Sequence, residues 1–440
     1  MHRPEVCIIG AGLAGVEAAH VLAERGISVE LCEMRPSTMT PAHKTDQLAE
    51  LVCSNSFKGT DPLTAHGILK REMAGLGSLV MSVAMRTRVP AGKALAVDRT
   101  AFAGAITGYI ASHDRITLRR EELRAIDRDR LTVVATGPLT SDALAGELAA
   151  MTARDRLFFY DAISPIIDTE SIDMGRAFAG SRWSECDTDY LNCPLDRDEY
   201  SHFMDRLLAA DRVRAHEFEN VRFFEACLPV EVLARRGADA LRYGPLRPVG
   251  LKDPRTGKRP YAVVQLRREN LAGDACTMVG FQTRLTYPEQ KRIISLIPAL
   301  RNARILRYGS IHRNTYLDSP RILASDLHII GHEKTYLAGQ ITGVEGYMES
   351  AAMGIMAGMS VCARIRGVPF APPGPETALG SLLRYITDRT TGDFQPMNTN
   401  FGIMPIPDGP KAGRAEARSA GARKAFEQWL HEIRQIQVKA

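Results

Sequence analysis

Two stretches of this 440-residue chain gather residue types that can do chemistry. The first is Gly10-Ala11-Gly12-Leu13-Ala14-Gly15, set between an apolar run, Val6 to Ile9, and a helical pattern reaching about Arg25. Gly10 supplies a tight turn, Gly12 lets a pyrophosphate approach the backbone, and Gly15 lets the helix pack close on the strand. Free N–H groups at the helix start then face phosphate oxygens. Gly26 leads into a second apolar run closed by Glu33, an acid placed to accept hydrogen bonds from ribose hydroxyls, with Arg35 just beyond it. The second stretch is Cys53-Ser54-Asn55-Ser56. A thiol among small polar groups can be solvated and ionised, and the alternative is a cysteine that only packs at a helix end.

The surrounding elements have to hold these groups. A buried strand from Leu131 closes on Ala135-Thr136-Gly137, the turn where the chain returns to a nucleotide sheet. A strand at Tyr336 to Gly339 runs into a second glycine turn through Gln340, Gly343, Val344, Glu345 and Gly346, followed by a helix, Tyr347 to Arg366, rich in Ala and Gly. The start of that helix favours the negative charge of a reduced isoalloxazine, and its small residues also suit close packing. Together these landmarks predict an α/β, Rossmann-like two-dinucleotide-fold FAD-binding domain. It is expected to be built from residues 1–149 and 311–440, with an inserted α+β domain over 150–310. The pattern further predicts a short helix ending near Cys53 and helices over 66–86, 99–112 and 197–210. A hairpin is expected over 243–267, a strand running into a helix over 278–293, and a basic amphipathic helix over 420–436.

Composition bounds the class. Hydrophobic content of 45% and charged content of 24% suit a soluble globular chain. No apolar run approaches the roughly 18 residues of a membrane span. Glu5 and the glycine fingerprint make the N-terminus structure rather than an address. The eight cysteines lack CxxC spacing, which argues against zinc and disulfides and for a reduced, cytoplasmic setting. A net charge of +5 permits an anionic partner without demanding one.

Function comes into view through longer blocks. LVCSNSFKG, KALAVDR, YLNCP, FFEACLPVEVLARRG, GPLRPVGLKDPRTGKRPYAVVQLR, MVGFQT, HRNTY, LAGQITGVEGYMESAAMGIMAG and FQPMNTNFG span essentially the whole chain. In these the sequence resembles the folate- and FAD-dependent tRNA (uracil-5-)-methyltransferases of bacteria. The resemblance implies FAD, methylenetetrahydrofolate as carbon donor, NADPH or NADH as reductant, and the T-loop of tRNA as acceptor. It places the family's catalytic cysteines on Cys53 and Cys227, and its folate and RNA contacts on Gln282, Arg284, His312 and Asn314. Arg284 departs from the His or Asn frequent in relatives, so stacking there would use a guanidinium plane.

Uracil C5 becomes nucleophilic once a thiolate adds at C6. The donated carbon arrives at the formaldehyde level, so a hydride must follow, and reduced flavin is the expected carrier of both. Removal of the C5 proton calls for a second thiol or another base. Cys227 is expected as the nucleophile and Cys53 as the acid/base partner, with the opposite assignment open. Arg255, Lys258, Arg259, Arg301, Arg304 and Arg307 are candidates for RNA backbone contact, against a reading in which they form a solvated face. No membrane and no obligate protein partner is expected. The same chemistry on ribosomal RNA is one alternative. A wobble-uridine-modifying flavoprotein is another, although that family carries a long helical C-terminal extension. A thiol-disulfide flavoprotein lacks its close cysteine pair here. A flavin-bearing RNA chaperone or redox sensor would have no use for so many chemistry-bearing blocks.

Overall fold

A computed structural model describes residues 3–154, 157–182, 188–213, 228–408, 410 and 412–439. Its first sheet runs His328–Ile329, His332–Leu337, Leu131–Val134, Val6–Ile9, Val29–Cys32, Ile116–Arg119. All neighbours are parallel except the antiparallel pair at the 328–329 edge. The two central apolar runs, VCII and VELC, are buried along their whole length, as expected for strands covered on both faces. One face carries the helices Leu13–Ala23 and Tyr347–Ile365 in close contact. A Cβ on Gly354 would stand 2.2 Å from the Ala14 carbonyl oxygen. The small residues of the second helix therefore do serve close packing.

A second, antiparallel sheet has the order Phe178–Ala179, Tyr190–Leu195, Ala262–Arg268, Ala275–Met278, Ile166–Asp168, Ile305–Arg307. It has its own apolar cluster, separate from the one around the nucleotide sheet. The chain enters and leaves this region along an antiparallel ribbon, Leu157–Ala162 against Ile311–Tyr316. A small three-stranded sheet, Ser56–Gly59, Ala94–Val97 and Arg88–Val89, carries the segment after Cys53. No described helix is long and apolar enough to cross a membrane.

Four local expectations are corrected. Residues 66–86 form two helices, Ala65–Gly75 and Leu79–Arg86, because Gly77 turns left-handed (φ +77°) and Ser78 caps a new start, its Oγ accepting from Met81 N–H. No helix precedes Cys53. That loop is held instead by the Glu50 carboxylate, which accepts from Lys44 N–H at 2.9 Å and Thr45 N–H at 3.0 Å. The stretch 243–267 is not a hairpin: it holds turns and one strand, Ala262–Arg268, whose partners lie at 190–195 and 275–278. The strand expected from residue 278 ends there, and a loop separates it from the helix Tyr287–Ile294.

Buried carboxylates start two of the helices. Glu17, fully buried, accepts from the Ser78 hydroxyl, Leu79 N–H (3.2 Å) and Val80 N–H (2.9 Å). Glu72 accepts from Ala378 N–H (3.0 Å) and Leu379 N–H (2.9 Å). These N–H groups lack partners within their own helices. Burial raises the Glu17 carboxyl from 4.5 to about 7 against the pull of those donors. Below pH 4.5 the folded and unfolded chains both hold this proton, and between 4.5 and about 7 only the folded chain does. The contribution is thus fully present at low pH and lost as pH rises through about 7, by roughly 3 kcal/mol. Denaturant unfolding at pH 5 and pH 7.5 should show this slope in the unaltered protein and a shallower one in Glu17→Gln. Equal slopes would refute the assignment.

Candidate active site

The first glycine turn is shaped by three different constraints. Gly10 has φ +97°, and a Cβ there would meet the Ala135 carbonyl oxygen at 2.7 Å and Thr136 Cα at 2.8 Å. The first glycine therefore packs directly on the Ala135-Thr136-Gly137 turn. A Cβ on Gly15 would lie 1.8 Å from the Gly10 carbonyl oxygen, so the helix start closes on its own turn. Gly12 differs: no protein atom lies within 4 Å of a Cβ placed there. It faces a cleft of ≈ 560 Å³ that Glu33, Arg35, Thr136 and Thr140 also line. Such open space above helix N–H groups fits a pyrophosphate.

Glu33 sits at the inner wall of this cleft. One carboxylate oxygen accepts from Ala11 N–H at 3.0 Å and the other from Arg35 Nε at 2.8 Å. Burial pushes its carboxyl up, but Arg35 and Ala11 hold it below the usual range, so it is a carboxylate. Arg35 is buried and also donates to Glu50 at 3.1 Å and to the Thr45 carbonyl at 3.2 Å. It acts here through Glu33 and the following loop. Among the described residues, Cys7, Glu30 and Cys32 form the grouping closest to a metal-ligand set. Glu30 is already paired with Arg119 and Arg130, and the thiols lie within the sheet.

At the second turn Gly339, Gly343 and Gly346 all have positive φ. A Cβ on Gly339 would meet Ala14 Cβ at 2.7 Å, and one on Gly343 would meet the Phe394 ring at 2.5 Å. The segment from Phe394 is knitted onto this turn: Met397 N–H donates to the Gly343 carbonyl (3.0 Å), and Glu345 N–H to the Met397 carbonyl (2.8 Å). Gln340 Nε2 donates to Glu345 at 2.7 Å. Burial, and then the Asp161 carboxylate nearby, push the Glu345 carboxyl well above its ordinary range. Four residues on, burial opposes ionisation of Glu349, yet Lys58 at 3.4 Å and His66 at 3.5 Å hold it down to about 2. Two glutamates shifted in opposite directions thus stand at the start of the helix Tyr347–Ile365, Glu345 just before it and Glu349 in its first turn.

Cys53 is half-buried beside that helix start. Its N–H donates to the Tyr347 hydroxyl at 2.8 Å, and Ser54 N–H to the same oxygen at 3.3 Å. Burial, with Cys53 next, pushes the Tyr347 phenol up, so it stays protonated. Guanidinium groups hold the rest of the loop. Arg99 donates to the Leu51 carbonyl and Arg307 to the Val52 carbonyl at 2.8 Å. Arg267 donates twice to Asn55 Oδ1, at 3.1 and 2.8 Å. The Asn55 amide in turn donates to the carbonyls of Val97 (3.0 Å) and Arg268 (2.9 Å). The loop is therefore clamped between the start of the helix Tyr347–Ile365, the small three-stranded sheet and the second sheet. Arg307, a candidate for RNA contact, donates to a carbonyl of the Cys53 loop, and the candidates Arg255 and Arg304 are paired with Asp253 and Asp168.

Gln282 and Arg284 lie in a turn organised by Glu231, which is fully buried and accepts from Thr283 Oγ1 (2.9 Å) and Arg284 N–H (3.0 Å). Arg284 and Ile311 line one cavity of ≈ 710 Å³. His312 is placed by its backbone opposite Asp161, and the Asn314 amide donates to Asp161 at 2.7 Å. Leu317 N–H then reaches the Ile341 carbonyl at 2.9 Å. The 282–284 turn, the 311–316 strand and the second glycine turn are thus joined in sequence. Cys227 lies outside the described residues. Sequence reading missed Tyr347, Arg99, Arg267 and Glu231. The signal for Glu231 was its place in PVEVL, just after the expected cysteine.

The family model described as "Glucose inhibited division protein A" matches residues 5–369. The chain is similar to the methylenetetrahydrofolate--tRNA-(uracil-5-)-methyltransferase TrmFO of Moorella thermoacetica, 52% identical over 426 residues, covering 97% of each chain. The TrmFO of Desulfotalea psychrophila is 50% identical over 429 residues, again covering 97% of each. Among solved structures, GidA of Aquifex aeolicus shares the fold with a TM-score of 0.70 at 16% identity, covering 97% of this chain and 73% of that one.

The Asn55 clamp generates a stability prediction. Asn55→Ala leaves the buried Arg267 guanidinium without the oxygen that takes two of its N–H bonds. The expected loss is about 2–3 kcal/mol, read from the denaturation midpoint. An unchanged midpoint would show that water replaces the amide at no cost.

Proposed function

Because the chain belongs to the methylenetetrahydrofolate--tRNA-(uracil-5-)-methyltransferase TrmFO family, we propose that it methylates C5 of a T-loop uridine in tRNA, in the cytoplasm. Methylenetetrahydrofolate is the carbon donor, FAD the bound cofactor, and NADPH or NADH the source of electrons. The observation that carries this reading is identity of about half with TrmFO relatives along 97% of both chains. When bound, FAD supplies a carrier for the one-carbon unit and a hydride.

The residues present fit that group. Open space over Gly12 and the N–H groups behind it receive the pyrophosphate. Glu33, a carboxylate just past the end of its strand, would accept from ribose hydroxyls. The Gly339–Gly346 turn and the start of the helix Tyr347–Ile365, next to Cys53, would hold the ring system. Gln282, Arg284, His312 and Asn314 hold the folate and the target base, Arg284 offering a planar cation for stacking. Cys227 would add to C6, C5 would take the methylene carbon as that carbon's bond to its donor nitrogen breaks, and Cys53 would remove the C5 proton; a hydride delivered to the carbon would complete the methyl group as the Cys227 thiolate leaves C6.

Two experiments test this. Gly12→Val should fold normally, since a Cβ there has open space and the backbone has an ordinary negative φ, yet lose the yellow flavin chromophore. Retention of full flavin absorbance would sink the cofactor assignment. For the thiols, an RNA carrying 5-fluorouridine traps the C6 adduct, because fluorine cannot leave as a proton. Cys227→Ala should form no trapped complex on a denaturing gel, whereas Cys53→Ala should still form one. Trapping by the Cys227 variant alone would reverse the two roles.

A further inference from the structure

The helix Tyr287–Ile294 and the segment leading into the strand Ile305–Arg307 enclose a cleft of ≈ 1420 Å³. Its rim carries Lys291, Arg292, Arg301 and Arg304. The acids nearby are already engaged: Glu289 pairs with Arg292, while Asp168 and Glu170 pair with Arg304. Among the described residues, Lys291 and Arg301 are exposed with no acidic partner. At the mouth Tyr287 and Tyr308 are stacked, centroids 4.6 Å apart and planes 24° apart, and Tyr287 is 57% exposed. A large aromatic pair kept in water beside unpaired cations is the combination that binds unstacked bases and their phosphates.

The cleft also lies where the substrate has to arrive. Tyr308 directly follows Arg307, whose guanidinium holds the Val52 carbonyl next to Cys53. The backbone that carries the stacked pair is thus continuous with the backbone of that anchor. Pro288 lines both this cleft and the cavity that contains Arg284, and Tyr287, stacked on Tyr308 of the cleft, lines the second, so the groove continues toward the expected folate turn.

We propose that this cleft docks the loop of the RNA substrate, with phosphates on Lys291 and Arg301 and one unstacked base on the exposed face of Tyr287. The proposal rests on the tRNA reading above. Binding of a tRNA transcript is measured across a salt series for the flavin-loaded protein and its variants. Flavin absorbance confirms that each variant is loaded. The Lys291→Ala/Arg301→Ala variant should bind at least about tenfold more weakly near 100 mM salt, with the log–log salt slope reduced by about two. Tyr287→Ala should lose about fivefold or more with its slope unchanged, since stacking releases no counterions. If the unaltered protein fails to bind tRNA, the substrate reading and this proposal fall together. If it binds and the double variant matches it in affinity and slope, the reading stands and the cleft assignment is overturned. Tyr287→Ala binding at full strength would remove the stacked base from the proposal.

Discussion

Every polar direction of the Asn55 side chain is used: its oxygen receives Arg267, and its amide donates to carbonyls on both Val97 and Arg268. Asn55 is fully buried, where an unmet hydrogen bond is costly, so the geometry of this side chain is closely restricted. The consequence reaches both ways along the chain. Cys53, two residues earlier, is fixed against Tyr347 on the nucleotide side, while the strand Ala262–Arg268 is fixed on the other. The thiol, the second glycine turn and the antiparallel sheet are thereby held in one frame.

A single stretch of chain, Arg301 to Leu317, extends this frame. It passes the basic cleft, anchors the loop at Val52 through Arg307, forms the ribbon strand that carries Asn314, and ends against the second glycine turn at Ile341. The basic cleft, the Cys53 loop and the second glycine turn are in this way linked along one stretch of backbone.

The glycine landmarks were legible in the sequence because their constraint is local. Gly10, Gly15 and Gly339 stand where a Cβ would strike backbone or a neighbouring methyl, and only one residue type answers that. The long buried runs of the nucleotide sheet were legible for a similar reason. The break at Gly77 was not, since the apolar positions keep helical spacing across it and a cap at Ser78 is worth only about 1 kcal/mol. The surroundings of Cys53 were hidden by distance in sequence. Arg267, Arg307 and Tyr347 come from beyond the second sheet's first strands, and nothing in their neighbours marks them as loop anchors. Arg307 was read as a surface cation because burial is a property of the fold. The hairpin expected over 243–267 failed likewise: the strand is real, but its partners are remote.

The pairing of Met397 with the Gly343–Glu345 turn bears on how the protein is made. Val344 lies in a parallel bridge with Met397, Phe394 covers Gly343, and Thr399 N–H caps the Glu349 carboxylate. A ribosome that has just released residue 346 has therefore produced a turn without its cover. Some fifty more residues must emerge before Phe394 to Thr399 can close it, a delay of several seconds at ordinary elongation rates. The backbone contacts that restrict Gly10 and Gly15 are all present by Gly137, but the second turn is completed among the last parts of the nucleotide half to be synthesised. Assembly of the cofactor cradle is thus a late event in the life of the nascent chain, and a cofactor taken up before it would meet only half of its site.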